Sequence, residues 1–185
     1  LLPLLLLGVG ALARRRFTPL VTARLLLGSV VVLSLVWSIV QTATDPGVAY
    51  FSTGTRAWEF ALGGLVATVH LPEVRTEVAR RVRLVATGIG VVALALSLVV
   101  ITPETAFPGI AALLPVAGAA LVLLFGAGTE FEDVGALRPV AFFGRISYAL
   151  YLWHWPLVVI LPIMLGRPLD WATSSAVLLV AIGLA

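Results

Sequence analysis

The chain has 185 residues, of which 61% are hydrophobic and 11% charged, and its formal net charge at pH 7 is +3. With a mean hydropathy of +1.11, this composition excludes an ordinary water-soluble domain and predicts an integral membrane protein in contact with membrane lipid. The chain has no cysteine, which excludes thiolate metal sites, and its two histidines are too few for a conventional zinc site without carboxylate help. We expect no metal and no bound cofactor.

Seven apolar segments follow one another along the chain. About 20 helical residues cross the ~30 Å of hydrocarbon in a bilayer, and these runs are too long and continuous for barrel strands. We therefore predict an all-α fold, a polytopic transmembrane helix bundle of about seven segments with the first and last truncated. We expect residues 1–185 to form a single transmembrane domain. This domain is expected to be a fragment from which N-terminal helices are missing. The segments are residues 1–13, 20–41, 57–71, 84–101, 110–128, 146–165 and 171–185.

The arginines predict the orientation of these segments. All twelve basic residues are arginine, and positive residues are retained on the cytoplasmic side during insertion. If the loop at residues 14–16 is cytoplasmic, alternate crossings place ten arginines inside and only Arg56 and Arg167 outside. The loops at residues 42–56, 102–109 and 166–170 are then predicted to face outward. The pI of about 10.2 reflects this topology, and we expect no nucleic-acid partner.

A first group of polar residues lies where the third segment begins, on the predicted outward side. Thr53 or Thr55 could cap the helix N-terminus, and Glu59 follows Arg56 by three residues, so the two can meet on one face. Two interpretations remain open. The charges lie in a recess that water can reach, as the cost of intramembrane charge favours, or they form an interfacial ion pair flanked by aromatic anchors.

A second group lies in the sixth segment. Helical spacing brings Ser147, Tyr151, His154 and Trp155 to neighbouring azimuths. Pro156 has no amide hydrogen, so we expect a backbone carbonyl one turn earlier to lose its partner near His154. Either these groups share a functional polar pocket, or His154 is satisfied by a neighbouring helix, since polar residues often join membrane helices. The spacing of these residues does not by itself indicate which reaction they would catalyse.

Three stretches carry a resemblance to a known family. Residues 144–156 read Gly-Arg-Ile-Ser-Tyr-Ala-Leu-Tyr-Leu-Trp-His-Trp-Pro, and this run resembles the late signature of the acyltransferase 3 family of membrane O-acyltransferases. Residues 50–64, with Tyr-Phe-Ser-Thr, Thr-Arg-Ala-Trp-Glu and Gly-Gly, resemble another signature of that family. Residues 107–120, with Phe-Pro-Gly, Leu-Pro and Gly-Ala-Ala, resemble a third. Together they span most of the chain.

The resemblance implies a multi-pass enzyme of the bacterial cytoplasmic (inner) membrane. Such an enzyme moves an acyl group, typically acetyl, from a cytoplasmic acyl-CoA-type donor to a hydroxyl of an extracytoplasmic cell-envelope glycan, for example lipopolysaccharide or peptidoglycan. Acyl-CoA is then a co-substrate. The family's best-known catalytic histidine lies in the first transmembrane helix, which we expect to precede this chain, so it matches no position here. We expect the fragment to be inactive alone.

Acyl transfer needs a base for the hydroxyl and a donor for the oxyanion, with reacting groups about 3 Å apart. As catalytic residues that line the channel where donor and acceptor meet, we predict His154, Tyr151 and Ser147. As substrate-binding residues we predict Arg56, Glu59, Trp58 and Trp155. Four arginines could meet the phosphates of coenzyme A, although topology alone accounts for them: Arg75, Arg80, Arg81 and Arg83. We assign no function to His70.

Two other classes of function remain open. The helices could form the permease half of a glycan or lipid transporter, although the chain lacks the related broken helices typical of such proteins. They could also form a non-catalytic membrane partner beside an SGNH hydrolase-like domain, fused or separate. Some members of the family carry such a domain, and the residues from Phe51 to Glu59 resemble theirs.

Overall fold

The computed structural model describes residues 18–102, 104–167 and 169–185. Regular structure in these residues is helical throughout and includes no strand, which confirms the predicted all-α class. The described helices are α1 (Pro19–Thr44), α2 (Pro46–Phe51), α3 (Thr53–Ala67), α4 (Glu77–Val100), α5 (Leu113–Phe125), α6 (Glu130–Ala136), α7 (Arg138–Leu165) and α8 (Trp171–Leu184). They belong to two compact units, a first that ends at Phe131 and a second formed by Glu132–Ala185.

The described helices differ in whether they can cross a membrane. α1, α4 and α7 are long and apolar enough, and α5 with α6 counts as a fourth if this bent pair is one span. α3 has 15 residues, fewer than the roughly 20 that a full crossing needs. The predicted segment at residues 1–13 lies outside the described residues. The count of seven spans and the single domain therefore stay predictions.

α1 and α3 pack along each other through two sets of polar contacts. The Ser34 hydroxyl donates to the Gly54 carbonyl at 2.6 Å and accepts from the Trp58 amide at 2.9 Å. At the other end of α3, the Arg24 guanidinium donates to the Thr68 carbonyl at 2.6 Å and to its hydroxyl at 3.1 Å. Carbonyls at a helix C-terminus lack partners within the helix, and a cation is favoured there. These contacts fix the register of the pair.

α4 and α5 approach each other at a pair of glycines. A Cβ atom on Gly90 would lie 2.7 Å from the Gly118 carbonyl oxygen, and one on Gly118 would lie 2.9 Å from the Gly90 carbonyl oxygen. Small residues allow such close backbone approach between membrane helices, where packing rather than water exclusion drives association. The two glycines therefore determine how close these helices lie.

In the second unit, α7 and α8 are joined by a short turn with defined caps. Gly166, in the left-handed region with φ of 63°, ends α7, and α7 continues through Pro156 and Pro162 as one helix. Asp170 caps α8, because its carboxylate accepts from the Thr173 amide at 2.8 Å. The Thr173 amide, followed by the Arg167 guanidinium, holds the pKa of Asp170 well below its usual range.

Candidate functional site

The first unit holds Arg56 against two aromatic rings. Its guanidinium carbon lies 4.9 Å from the ring centroid of Tyr50 and 5.5 Å from that of Phe107. A guanidinium over an aromatic face is attracted by the ring quadrupole. Tyr50 of α2 and Phe107 of the loop before α5 therefore both contact Arg56 of α3. All three lie on the side predicted to face outward.

The turn between α2 and α3 is fixed by the buried Thr55. Its hydroxyl lies 2.6 Å from the Ala49 carbonyl oxygen and 2.7 Å from the Ser52 carbonyl oxygen. The predicted helix cap was wrong, because Ser52 occupies the N-cap position. Thr55 instead binds the backbone next to Tyr50, and this contact positions the ring that faces Arg56.

The expected ion pair between Arg56 and Glu59 is not formed in the described part of the chain, where no ion pair within 4 Å joins them. Both side chains are half-buried, and the charge of Arg56 still acts on Glu59. Among the described residues, Nε of Arg56 and Oε1 of Glu59 are buried without a hydrogen-bond partner. The guanidinium lies against the aromatic rings instead, and a recess that water can reach stays a prediction.

Trp58 lies in the core of the first unit. The residue is 1% exposed, and its backbone amide donates to Ser34. Trp58 lines neither the cavity beside Glu59 nor the cavity beside Tyr50. The structure thus places this predicted substrate-binding residue at the contact between α1 and α3.

A cavity of about 430 Å³ lies beside Glu59, between α3 and α5. This volume is within the roughly 300–1,000 Å³ range of ligand pockets. Glu59 is the one ionisable group among the described lining residues. From α3 the lining residues are Glu59, Leu62, Gly63 and Val66, and from α5 they are Pro115, Val116, Ala119, Ala120 and Leu123. Leu94, Phe107 and Ala112 complete an otherwise apolar wall.

A second cavity, of about 480 Å³, lies among the loops predicted to face outward. Its wall includes the hydroxyl-bearing Thr102 and Thr105 as well as the Tyr50 ring. Phe107 lines both cavities. We refer to these as the inner cavity, beside Glu59, and the outer cavity, beside Tyr50. Arg56 contacts the ring of Phe107 and the ring of Tyr50, which lines the outer cavity.

The predicted catalytic residues lie in α7, in the second unit. Nδ1 of His154 lies 3.1 Å from the carbonyl oxygen of Leu150, and the Tyr151 ring centroid lies 5.7 Å from that of His154. Ser147 donates to the Gly144 carbonyl at 2.8 Å. Trp155 is 57% exposed. The structure thus brings Tyr151 and His154 together, while the Ser147 hydroxyl binds its own helix.

The four arginines considered for coenzyme A phosphates all have protein partners. Arg80 pairs with Glu77 at 3.0 Å and with Glu130, and Arg83 donates to the carbonyls of Ala127 and Pro72. The other two contacts are Arg81 to Glu77 at 3.1 Å and Arg75 to Glu73 at 3.5 Å. A phosphate would have to compete with these partners, so the phosphate role stays a prediction. His70 is exposed.

Sequence reasoning missed two residues of this region. Phe107 belonged to a recognised motif, but nothing in its spacing showed that its ring would contact Arg56 and line two cavities. Ser34 carried no signal, because an isolated serine in an apolar helix commonly bonds to its own backbone.

The comparisons with known proteins agree with this architecture. The chain belongs to the acyltransferase 3 family, whose model, described as an acyltransferase domain, matches residues 1–185. This confirms the predicted resemblance. The chain is similar to a protein of Komagataeibacter xylinus that has provisionally been named membrane-bound transacylase BcsY, with 29% identity over 160 residues. These residues are 84% of this chain and 39% of the relative. No solved structure matches the chain.

Proposed function

We propose that the protein is a membrane O-acyltransferase of the bacterial inner membrane. It moves an acyl group from a cytoplasmic acyl-CoA-type donor to a hydroxyl of an extracytoplasmic cell-envelope glycan. The observation that carries this proposal is the family match over residues 1–185. The relative named as a transacylase supports it.

The outer cavity suits an acceptor that carries hydroxyl groups. Aromatic faces and threonine hydroxyls, such as those of Tyr50, Phe107 and Thr102, offer a sugar both a surface for its C–H groups and hydrogen-bond partners. Nε of Arg56 is a donor without a described partner, and Oε1 of Glu59 is an acceptor without one. Buried polar groups of this kind gain most from a ligand that satisfies both. We assign these two residues to binding and orienting the acceptor.

His154 suits a role in proton transfer. When Nδ1 carries the proton, it donates to the Leu150 carbonyl, and the lone pair of Nε2 is left to accept a proton. In the reaction, the hydroxyl proton passes to a base, the acceptor oxygen forms a bond to the carbonyl carbon of the thioester, and the C–S bond breaks. The departing thiolate then takes the proton from the base and leaves as the thiol. Tyr151 and Ser147 lie on the same helix, and Tyr151 contacts the imidazole ring.

The test is a transfer assay with the full-length protein in inner-membrane vesicles. Radiolabelled acetyl-CoA is supplied on the cytoplasmic side, and label is measured in the envelope glycan fraction. We expect label in wild type and its loss in Glu59→Gln, with equal amounts of protein in the membrane. Glycan that crosses the membrane unlabelled would indicate a transporter, and a folded protein that neither labels nor moves glycan would indicate a non-catalytic partner. Either result would reject the proposal.

A further inference from the structure

We propose that the inner cavity binds the acyl chain that is transferred, and that it admits chains of several carbons beyond acetyl. This inference rests on the proposed function and specifies its substrate. The proposed ligand occupies the cavity beside Glu59. Apart from Glu59, the lining of this cavity is apolar.

The size of the cavity favours a chain longer than acetyl. The inner cavity is partly open to its surroundings, so its volume measures what it can admit. The inner cavity measures about 430 Å³, and a two-carbon group would leave most of it empty. The lining of α3 extends from Glu59 to Val66, a rise of roughly 10 Å and about the extended length of an eight-carbon chain.

The chemistry of the walls favours an aliphatic occupant. Because the lining is apolar apart from Glu59, each methylene that enters should strengthen binding by about fourfold. Phe107 lines both cavities, and Glu59 lines the inner one. A neutral thioester or ester carbonyl can lie there, whereas a free fatty acid would bring a second negative charge beside Glu59. The expected ligand is therefore an esterified chain.

The space depends on small side chains in the walls. Gly63 of α3 lines the cavity together with Ala119 and Ala120 of α5, and no atom lies within 4 Å of the position that a Cβ on Gly63 would take. A phenylalanine at position 120 would occupy part of the volume. Ala117 provides a matched control, because it lies on the same helix but is exposed and does not line the cavity.

The experiment uses photolabelling of the full-length protein in membranes. The probe is an octanoyl thioester of N-acetylcysteamine with a diazirine at the chain end, and labelled peptides are located by mass spectrometry. We expect label on wall residues such as Val66 and Leu123. The unlabelled octanoyl thioester should compete more strongly than the acetyl thioester, and free octanoate should not compete. Ala120→Phe should reduce wall labelling at least fivefold, and Ala117→Phe should leave it unchanged.

Other outcomes would overturn the inference. Equal labelling in Ala120→Phe and wild type would show that the probe does not occupy this space. Label confined to lipid-exposed residues would show that another part of the full-length protein, or nothing specific, fills the cavity. Because labelling requires no transfer, these results are independent of the assay for the proposed function. Failure of transfer with intact wall labelling would reject the enzyme and keep the acyl-chain site.

Discussion

The Ser34 hydroxyl of α1 accepts a hydrogen bond from the backbone amide of Trp58 in α3, at 2.9 Å. The same hydroxyl donates to the carbonyl of Gly54 at 2.6 Å. Gly54 and Trp58 are four residues apart, the spacing of partners in an α-helical ladder. The serine is therefore inserted between two backbone groups of the neighbouring helix, an arrangement known to bend helices. Ser34 thereby joins α1 to α3, the helix that carries Arg56.

Ser34→Ala should destabilise the first unit by about 0.5–1.5 kcal/mol, the net value of a typical hydrogen bond, because the hydroxyl that joins α1 to the Gly54 carbonyl and the Trp58 amide would be lost. Thermal unfolding of the protein in detergent measures this loss. Ser29→Ala is the matched control on the same helix, since the Ser29 hydroxyl only donates to Leu26 of its own helix and is exposed. Equal Tm values for the two variants would contradict the importance of the inserted hydroxyl.

Tyr50→Leu should lower acyl transfer by a factor of about 2 to 30, the equivalent of the roughly 0.5–2 kcal/mol that a cation gains over an aromatic face. The change removes the ring that faces Arg56 at 4.9 Å but keeps an apolar side chain. Tyr50→Phe retains the ring and should keep most of the activity. Initial rates of label transfer in vesicles provide the comparison. If both variants lost activity equally, the phenol hydroxyl and not the ring would be the important group.

His154→Ala should reduce transfer by roughly 100-fold or more, the size of effect typical of a positioned proton-transfer group. The amount of protein in the membrane should not change, because the imidazole is only half-buried and its described hydrogen bond is to its own helix. Immunoblots of membranes measure abundance alongside the rate. A well-folded variant with full activity would remove His154 from the mechanism and leave it as a packing residue of α7.

The cap of α8 should show a defined response to acid. The folded-state pKa of Asp170 is lowered by the Thr173 amide and by Arg167, so ionised Asp170 contributes stability at neutral pH. That contribution is complete well above the unfolded pKa of about 3.9. It declines below this value and is lost as the pH falls through the lowered folded pKa.

The difference in Tm between wild type and Asp170→Ala should therefore be constant from pH 7 to about pH 5 and shrink under stronger acid. Asp170→Asn is the control, because an amide can still cap the helix but does not titrate. A difference that grew as the pH fell would contradict the assigned direction of the pKa shift.

The sequence predicted α1 well, because its apolar run is long and continuous and hydrophobicity alone selects it. It was less accurate where a helix begins in polar residues. α4 already starts at Glu77 and α7 at Arg138, both ahead of the predicted segments. The contact of Arg56 with Phe107 could not be predicted, since it joins residues far apart in the chain. Local spacing instead favoured Glu59 as the partner.

The close approach of Gly90 and Gly118 also affects the shape of the inner cavity. Leu94 and Ala119, which line the inner cavity, lie about one turn or less from these glycines on the same helices. A methyl group added at either glycine would meet backbone at under 3 Å and act as a wedge between α4 and α5. One substitution at either glycine should thus alter the shape of the inner cavity from a position that does not line it.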